Sequence, residues 1–171
     1  MYKFSFLILF FILFNITNSF GQDKTAFIDL EIVLKKSNYG KSLLNDLEKL
    51  NKKNIDELKI KESELKKNED DLKKKQNIIS KDEFDKEISL LKNKIEKYRK
   101  SKDQMVKSFG KKRKEVFNNF FSKVNPIIQI YMDENSIDIL LERKNVFIGK
   151  NNSDITVSVI NEINNKIKFK W

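Results

Sequence analysis

The 171-residue chain contains no cysteine and no histidine. Those two absences exclude disulfides, thiol nucleophiles, histidine general bases, Cys/His zinc sites and Ser-His-Asp triads. Glycine occurs four times and proline once, so a glycine-rich phosphate cradle is hard to assemble while long uninterrupted helices are easy. Charge, by contrast, is abundant. Thirty-five Lys+Arg against 25 Asp+Glu give a formal net charge of +10, and 35% of residues are charged against 39% hydrophobic. That balance suits a long amphipathic helix better than a compact globule.

The one long apolar run lies at the start. Lys3 precedes eleven residues, Phe4 to Phe14, that are apolar apart from Ser5, followed by polar Asn15, Thr17 and Asn18 and then Ser19-Phe20-Gly21. A basic segment, a short apolar segment and a small-residue cleavage pattern read as a secretory signal over residues 1–21. The run is short of the ~20 residues that cross a bilayer; an uncleaved anchor, prolonged by Ile16 and Phe20, is the alternative. A lipid anchor would need a cysteine. The mature chain is therefore expected to start near Gln22 as an exported protein, in a compartment without ATP.

The excess charge is concentrated. Lys41 to Asp85 carries 12 basic and 12 acidic side chains, whereas Lys86 to Lys123 carries 13 basic and four acidic, a net of +9. The rest of the mature chain is balanced. Within the basic segment, Phe84, Ile88, Leu91, Ile95, Tyr98, Lys102, Met105, Phe109 and then Lys112 or Val116 recur at alternating steps of four and three, the repeat of a coiled-coil seam. Upstream, Leu58, Leu65, Leu72 and Ile79 recur every seven residues, with polar Glu62, Glu69 and Gln76 expected at the alternate seam positions. Between the runs, Ser80-Lys81-Asp82-Glu83 has the form of a capping box. One helix is thus expected to end near Ile78 and another to start at Lys81, giving an antiparallel hairpin over residues 41–123 with limbs of about 57 Å. A parallel dimeric coiled coil without a turn is the alternative.

The flanks, residues 22–40 and 124–171, read as one small α/β body split by the hairpin. Thr25 to Leu30 predicts a strand, Glu31 to Ser37 a short helix, Ile137 to Glu142 and Val146 to Ile148 two strands around an Arg143-Lys144-Asn145 turn, and Asp154 to Asn164 a capped helix. Pro126 predicts a kink or restart of the return limb. At the root the stripe widens: Val116, Phe117, Phe120, Phe121 and Val124 cover about 140° of the helix surface, more than one partner helix can bury. They are expected to pack against the body, with Phe27, Phe117, Phe120, Phe121 and Ile139 the candidates for root and oligomer packing. A 67-residue body is marginal alone, and oligomerisation is a usual remedy. The final Lys166 to Trp171 alternates as a strand would, with a frayed terminus as the alternative.

Two tempting motifs fail. Gly40-Lys41-Ser42 resembles the end of a phosphate loop, but Lys35 stands where the upstream glycine is required; Gly40 reads as a turn into the arm. Glu69-Asp70-Asp71 is flanked by lysines at helical spacings and reads as a solvated, self-paired face rather than a metal site. No acid, base and pocket come together, so neither catalysis nor a cofactor is expected.

The order of a signal segment, the Thr25-Ala26-Phe27-Ile28-Asp29 strand, a charged helical hairpin, Ile137-Asp138-Ile139-Leu140-Leu141, Val146-Phe147-Ile148 and a helix opened by Asp154-Ile155-Thr156 resembles the Skp/OmpH family of periplasmic chaperones across essentially the whole mature chain. The resemblance implies an α+β homotrimer with a β-barrel-like hub and three hairpin arms around a cavity. It further implies an ATP-independent holdase that encloses unfolded outer-membrane proteins. A positive wall would add attraction for acidic clients and for an anionic membrane surface, and Lys97, Arg99, Lys100, Lys107, Lys111, Lys112, Arg113 and Lys114 are the candidate client-facing charges. The sequence departs from the family's pattern in placing its excess midway to root on the return limb, not at the arm tip. No residues can be carried over for a lipopolysaccharide site. Nucleic acid is a poor fit, since aromatic platforms are not interleaved with Lys97 to Lys114. A structural or anchored coiled-coil envelope protein is the alternative function.

Overall fold

The computed structural model describes residues 23–168; the expected signal segment and the aromatic end of the tail lie outside them. Strand β1 (Thr25–Ile28) leads through Asp29 into helix α1 (Leu30–Lys36), α2 (Asn38–Lys75) runs out and α3 (Lys81–Glu134) runs back. Strand β2 (Ile139–Glu142), two short 3-10 turns (Arg143–Asn145 and Asn151–Ser153) and helix α4 (Thr156–Lys166) complete the body. The two strands pair in parallel, Thr25 opposite Ile139 and Ile28 opposite Glu142. The whole hairpin is the connection between them.

Local chemistry sets the helix limits. Asp29 Oδ1 accepts from the Ile32 amide at 2.9 Å and starts α1. Ser37 then serves two helices, its N–H closing α1 on the Val33 carbonyl at 3.0 Å and its hydroxyl accepting from Gly40 N at 3.2 Å to cap α2. Gly40 is therefore not a turn but part of the first turn of α2, where a Cβ would lie 1.9 Å from the Leu34 carbonyl oxygen; the backbones of α1 and α2 approach too closely for any side chain. At the far end α2 stops at Lys75, three residues before the expected Ile78, because the chain must turn ahead of Ser80. That serine caps α3 as expected, accepting from Glu83 N at 3.4 Å.

Helix α3 is 54 residues, about 81 Å, and Pro126 neither ends nor restarts it. A proline inside a helix costs about 3 kcal/mol. Val124, Ile127 and Ile128 around it are buried, and at roughly 1.5–3 kcal/mol each their burial outweighs that cost. The helix ends with Ile137 N donating to the Met132 carbonyl at 2.9 Å over Ser136, whose φ is 52°, a left-handed position that usually holds glycine.

The core sits where α1, the root of α3 and α4 converge, around Val33, Phe120, Val124, Val159 and Ile163, all fully buried. Ala26, Ile28 and Leu140 close it from the sheet. Thr156 Oγ accepts from the Asp29 amide at 2.9 Å and donates to Asp154 Oδ1 at 2.6 Å, which pins α4 to the start of α1. The body is thus mainly helical rather than β-rich. Val146 to Ile148 do not form the third strand: Asp154 bridges the free edge of β1 at Phe27, and the loop folds across the sheet instead of alongside it. Helix α4 continues to Lys166 and Ile167 packs on the core, so the tail's alternation does not start a strand at Lys166.

Along the arm the seam is thin. Phe84, Ile88, Leu91, Ile95, Tyr98, Met105 and Phe109 are half-buried as the period predicts, but Ser101, not Lys102, faces α2. On α2 the polar position between Leu58 and Leu65 is Lys61 rather than Glu62, and its Nζ donates to Ser101 Oγ at 3.3 Å. Glu69 and Gln76 are exposed too. A step of three puts a long lysine stem on apolar surface with its ammonium at the edge, which a glutamate at a step of four cannot match.

Candidate functional site

The pleat divides the two-stranded sheet into two faces. Ala26, Ile28 and Leu140 point into the core, whereas Phe27, Ile139 and Leu141 share the opposite face. Phe27 is covered by its own loop: the Arg143 guanidinium lies 4.8 Å from its ring centroid, and Gly149 approaches so closely that a Cβ would sit 2.5 Å from Phe27 Cε1. Ile139 and Leu141 remain 45% and 41% exposed, and on the same loop Phe147 and Ile148 are 96% and 82% exposed. Two large apolar side chains exposed on one face of a sheet differ from the isolated ones found on any surface. Sequence reasoning finds Phe27 and Ile139 but misses Leu141, Phe147 and Ile148. The signal was present: reading 146–148 as a strand hides the exposure that follows when no strand forms.

The root aromatics are distributed differently. Phe120 is fully buried within its own chain, stacked on Tyr39 with centroids 5.8 Å apart and edge-on to Phe121 at 5.3 Å. Phe117 and Phe121 are half-buried against the same core. The wide stripe at the root is thus met by α1, the start of α2 and α4.

Every predicted basic residue on the return limb is exposed. At 100° per residue, Lys100, Lys107, Lys111 and Lys114 fall on the side of α3 away from α2, Arg99 and Arg113 flank the seam, and Lys112 lies on it, in line with Met105, Phe109 and Val116. Lys97 joins Lys61 and Lys94 beside an open groove of about 380 Å³ next to Tyr98. The guanidinium of Arg113 sits 5.6 Å from the Phe117 ring centroid, and Lys112 reaches Glu115 only at 3.9 Å. Compensation lies on the other limb. There Glu69 pairs with Lys73 at 2.9 Å and Asp71 with Lys74 at 3.4 Å, the Lys73 hydrogen bond and charge holding the Glu69 carboxyl below its ordinary range. Near the tip, Lys75 bridges the limbs to Glu87 at 2.8 Å, and that carboxylate raises the lysine's pKa. Among the described residues no acidic cluster could hold a metal ion, and no helix is long and apolar enough to cross a membrane.

Fold and surface together define a hairpin-armed protein: a small, mainly helical body with an open apolar sheet face, carrying two long helices with a cationic return limb. The chain belongs to the outer membrane protein (OmpH-like) family, whose model matches residues 24–163. A solved structure from Caulobacter crescentus CB15, proposed to be an outer membrane chaperone (OmpH-like), superposes with a TM-score of 0.80 at 18% identity, over 88% of this chain and 89% of that one. No curated protein matches the sequence.

Proposed function

We propose that this protein is a non-enzymatic, ATP-independent periplasmic holdase that encloses unfolded outer-membrane proteins and prevents their aggregation before membrane insertion. Residues 41–123 act as the arm, and residues 22–40 with 124–171 as the body. The observation that carries the reading is the exposed cationic face on the return limb of a long, thinly seamed hairpin. An unfolded β-barrel exposes apolar strands that would pair edge to edge in water, and a pliable charged wall can keep such a chain apart without a specific pocket. Membership of the OmpH-like family supports it.

A cavity needs several arms, and the body supports an assembly. The core covers only one face of the sheet, and the other carries Ile139 and Leu141 exposed, with Phe147 and Ile148 exposed on the loop that follows. Three copies would cover these faces mutually in a barrel-like hub and hold three arms on one side. The test is an aggregation assay with an unfolded outer-membrane barrel protein, run beside mass measurement of the assembly. Suppressed aggregation at a three-to-one stoichiometry without nucleotide is the expected result. Unchanged aggregation, or a monomer at micromolar concentration, overturns the proposal.

A further inference from the structure

Three cavities between the limbs of the hairpin, of about 420, 380 and 540 Å³, lie end to end. The first two share Ser101 and the last two share Asn68 and Lys94, so they form one groove between α2 and α3. Its α3 wall follows the coiled-coil repeat, with Lys94, Ser101 and Ser108 at steps of seven and Lys97 and Gln104 between them, which keeps the groove on one flank of the seam. Arg99 and Val106 recur on the opposite flank. From Ser108 to Glu87, where the Lys75–Glu87 ion pair spans the limbs at 2.8 Å, the groove runs about 32 Å at 1.5 Å per residue. An extended chain rises about 3.4 Å per residue, so the groove is as long as roughly nine extended residues, the length of one membrane-spanning β-strand.

The walls hold polar groups that the hairpin does not use. Among the described residues, the side chains of Asn54, Asn68, Gln104 and Ser108 make no hydrogen bond, and Lys94 and Lys97 make no ion pair. A side-chain amide offers both a donor and an acceptor, the pair that a peptide unit of an open strand requires. Asn54 and Asn68 are about 21 Å apart along α2, and six residues of extended chain cover about 20 Å. Six is even, so both amides meet the same edge of one strand. Midway, Lys61 joins Lys94 and Lys97 with Glu64 as the acid beside them, so the centre of the groove is cationic.

We propose that this groove seats one extended strand of polypeptide with acidic residues at its polar positions, held through its backbone by the amides and hydroxyls of α2 and α3. A folded partner has few free backbone groups to offer, whereas an unfolded barrel strand has both edges open. Backbone contacts accept many sequences, and the lysines add a preference for acids. The proposal deepens the holdase reading and rests on it for the natural source of the strand.

The test is fluorescence anisotropy on the full mature chain with a labelled peptide of about nine residues that alternates valine with threonine or glutamate. Asn68→Ala/Gln104→Ala, which favours helix, should weaken binding about tenfold through the loss of two hydrogen bonds. Ser108→Trp should block the groove, and Val106→Trp on the other flank should leave binding unchanged. N-methylation of alternate peptide amides should weaken binding to the wild type about tenfold and have less effect on the double variant. Exchanging the peptide's glutamates for lysines should abolish binding. No binding by the wild type, equal loss in the two tryptophan variants, or indifference to N-methylation overturns the groove; if Ser108→Trp lowers helicity by circular dichroism, the double alanine variant and the N-methylated peptide decide. Suppressed aggregation of an unfolded barrel protein, equal in the wild type and in the groove variants, would count against the groove alone. Peptide binding as expected without suppressed aggregation would count against the holdase reading alone.

Discussion

Three residues in the body are constrained by the local fold, Gly40 and Ser136 through their backbone and Thr156 through its hydroxyl. Gly40 faces the Leu34 carbonyl at a distance no Cβ can occupy, and because the obstacle is backbone, Gly40→Ala should cost about 1–3 kcal/mol as overpacking does, seen as a lowered urea midpoint. Ser136 is the reverse case. It holds a left-handed conformation that costs an L-residue about 1–2 kcal/mol, so Ser136→Gly should stabilise the protein by about 1 kcal/mol in the same measurement. Thr156 is buried and mediates between the Asp29 amide and Asp154. Thr156→Val keeps the shape but leaves the Asp29 donor unpaired, at about 1–3 kcal/mol. Of these, the sequence makes only the Asp154-Ile155-Thr156 helix start legible. Gly40 is misread as a turn because its role depends on how closely α1 approaches α2, which no local pattern encodes, and Ser136 carries no glycine signal at all.

At the scale of elements, periodicity and caps were legible and partners were not. The seven-residue spacing of Leu58, Leu65 and Leu72 and the serine before Lys81 correctly place two antiparallel helices. Whether the polar seam position is Lys61 or Glu62 depends on the facing helix, where Ser101 accepts the lysine. Likewise the strand expected at Val146 to Ile148 has sound propensity, but its loop is drawn onto Phe27 by Arg143 and Gly149. Pro126 is misjudged for the same reason: local cost is visible in sequence, while the core that offsets it is assembled from α1, α3 and α4. The polar seam yields a prediction. Replacing Lys61 and Ser101 together with Leu should lengthen the apolar stripe and stabilise the arm by about 1–2 kcal/mol, given roughly 0.8 kcal/mol per buried CH₂, observed as a higher melting temperature at unchanged helicity. A lower one would mean that the polar pair fixes the register of the hairpin.

For the whole molecule, the separation of apolar and charged surfaces makes assembly and capture independently testable. Phe120 lies wholly inside its own chain, so Phe120→Asp should unfold the body rather than merely divide an assembly. Leu141→Asp changes only the open face of the sheet, and should yield folded monomers by light scattering with the circular dichroism spectrum retained. The arm is separate from both. Its return limb holds a net +9 that the hairpin fold does not require, since α2 forms an equally long limb at near neutrality. Changing Lys107, Lys111, Lys112 and Arg113 to Gln leaves Met105, Phe109 and Val116 in place, so helicity and assembly mass should survive. Charge steering acts over a Debye length of about 8 Å at physiological ionic strength, and removing four cations from an exposed limb should slow association of acidic clients and flatten its salt dependence. Under the proposed holdase function, apolar contacts would hold an enclosed client, so dissociation should change less. Stopped-flow capture of a labelled unfolded barrel protein at several salt concentrations separates the two rates. If the quadruple variant captures clients at the wild-type rate in low salt, the limb's charge serves another surface, and binding of the wild type but not the variant to anionic vesicles would identify that surface as a membrane.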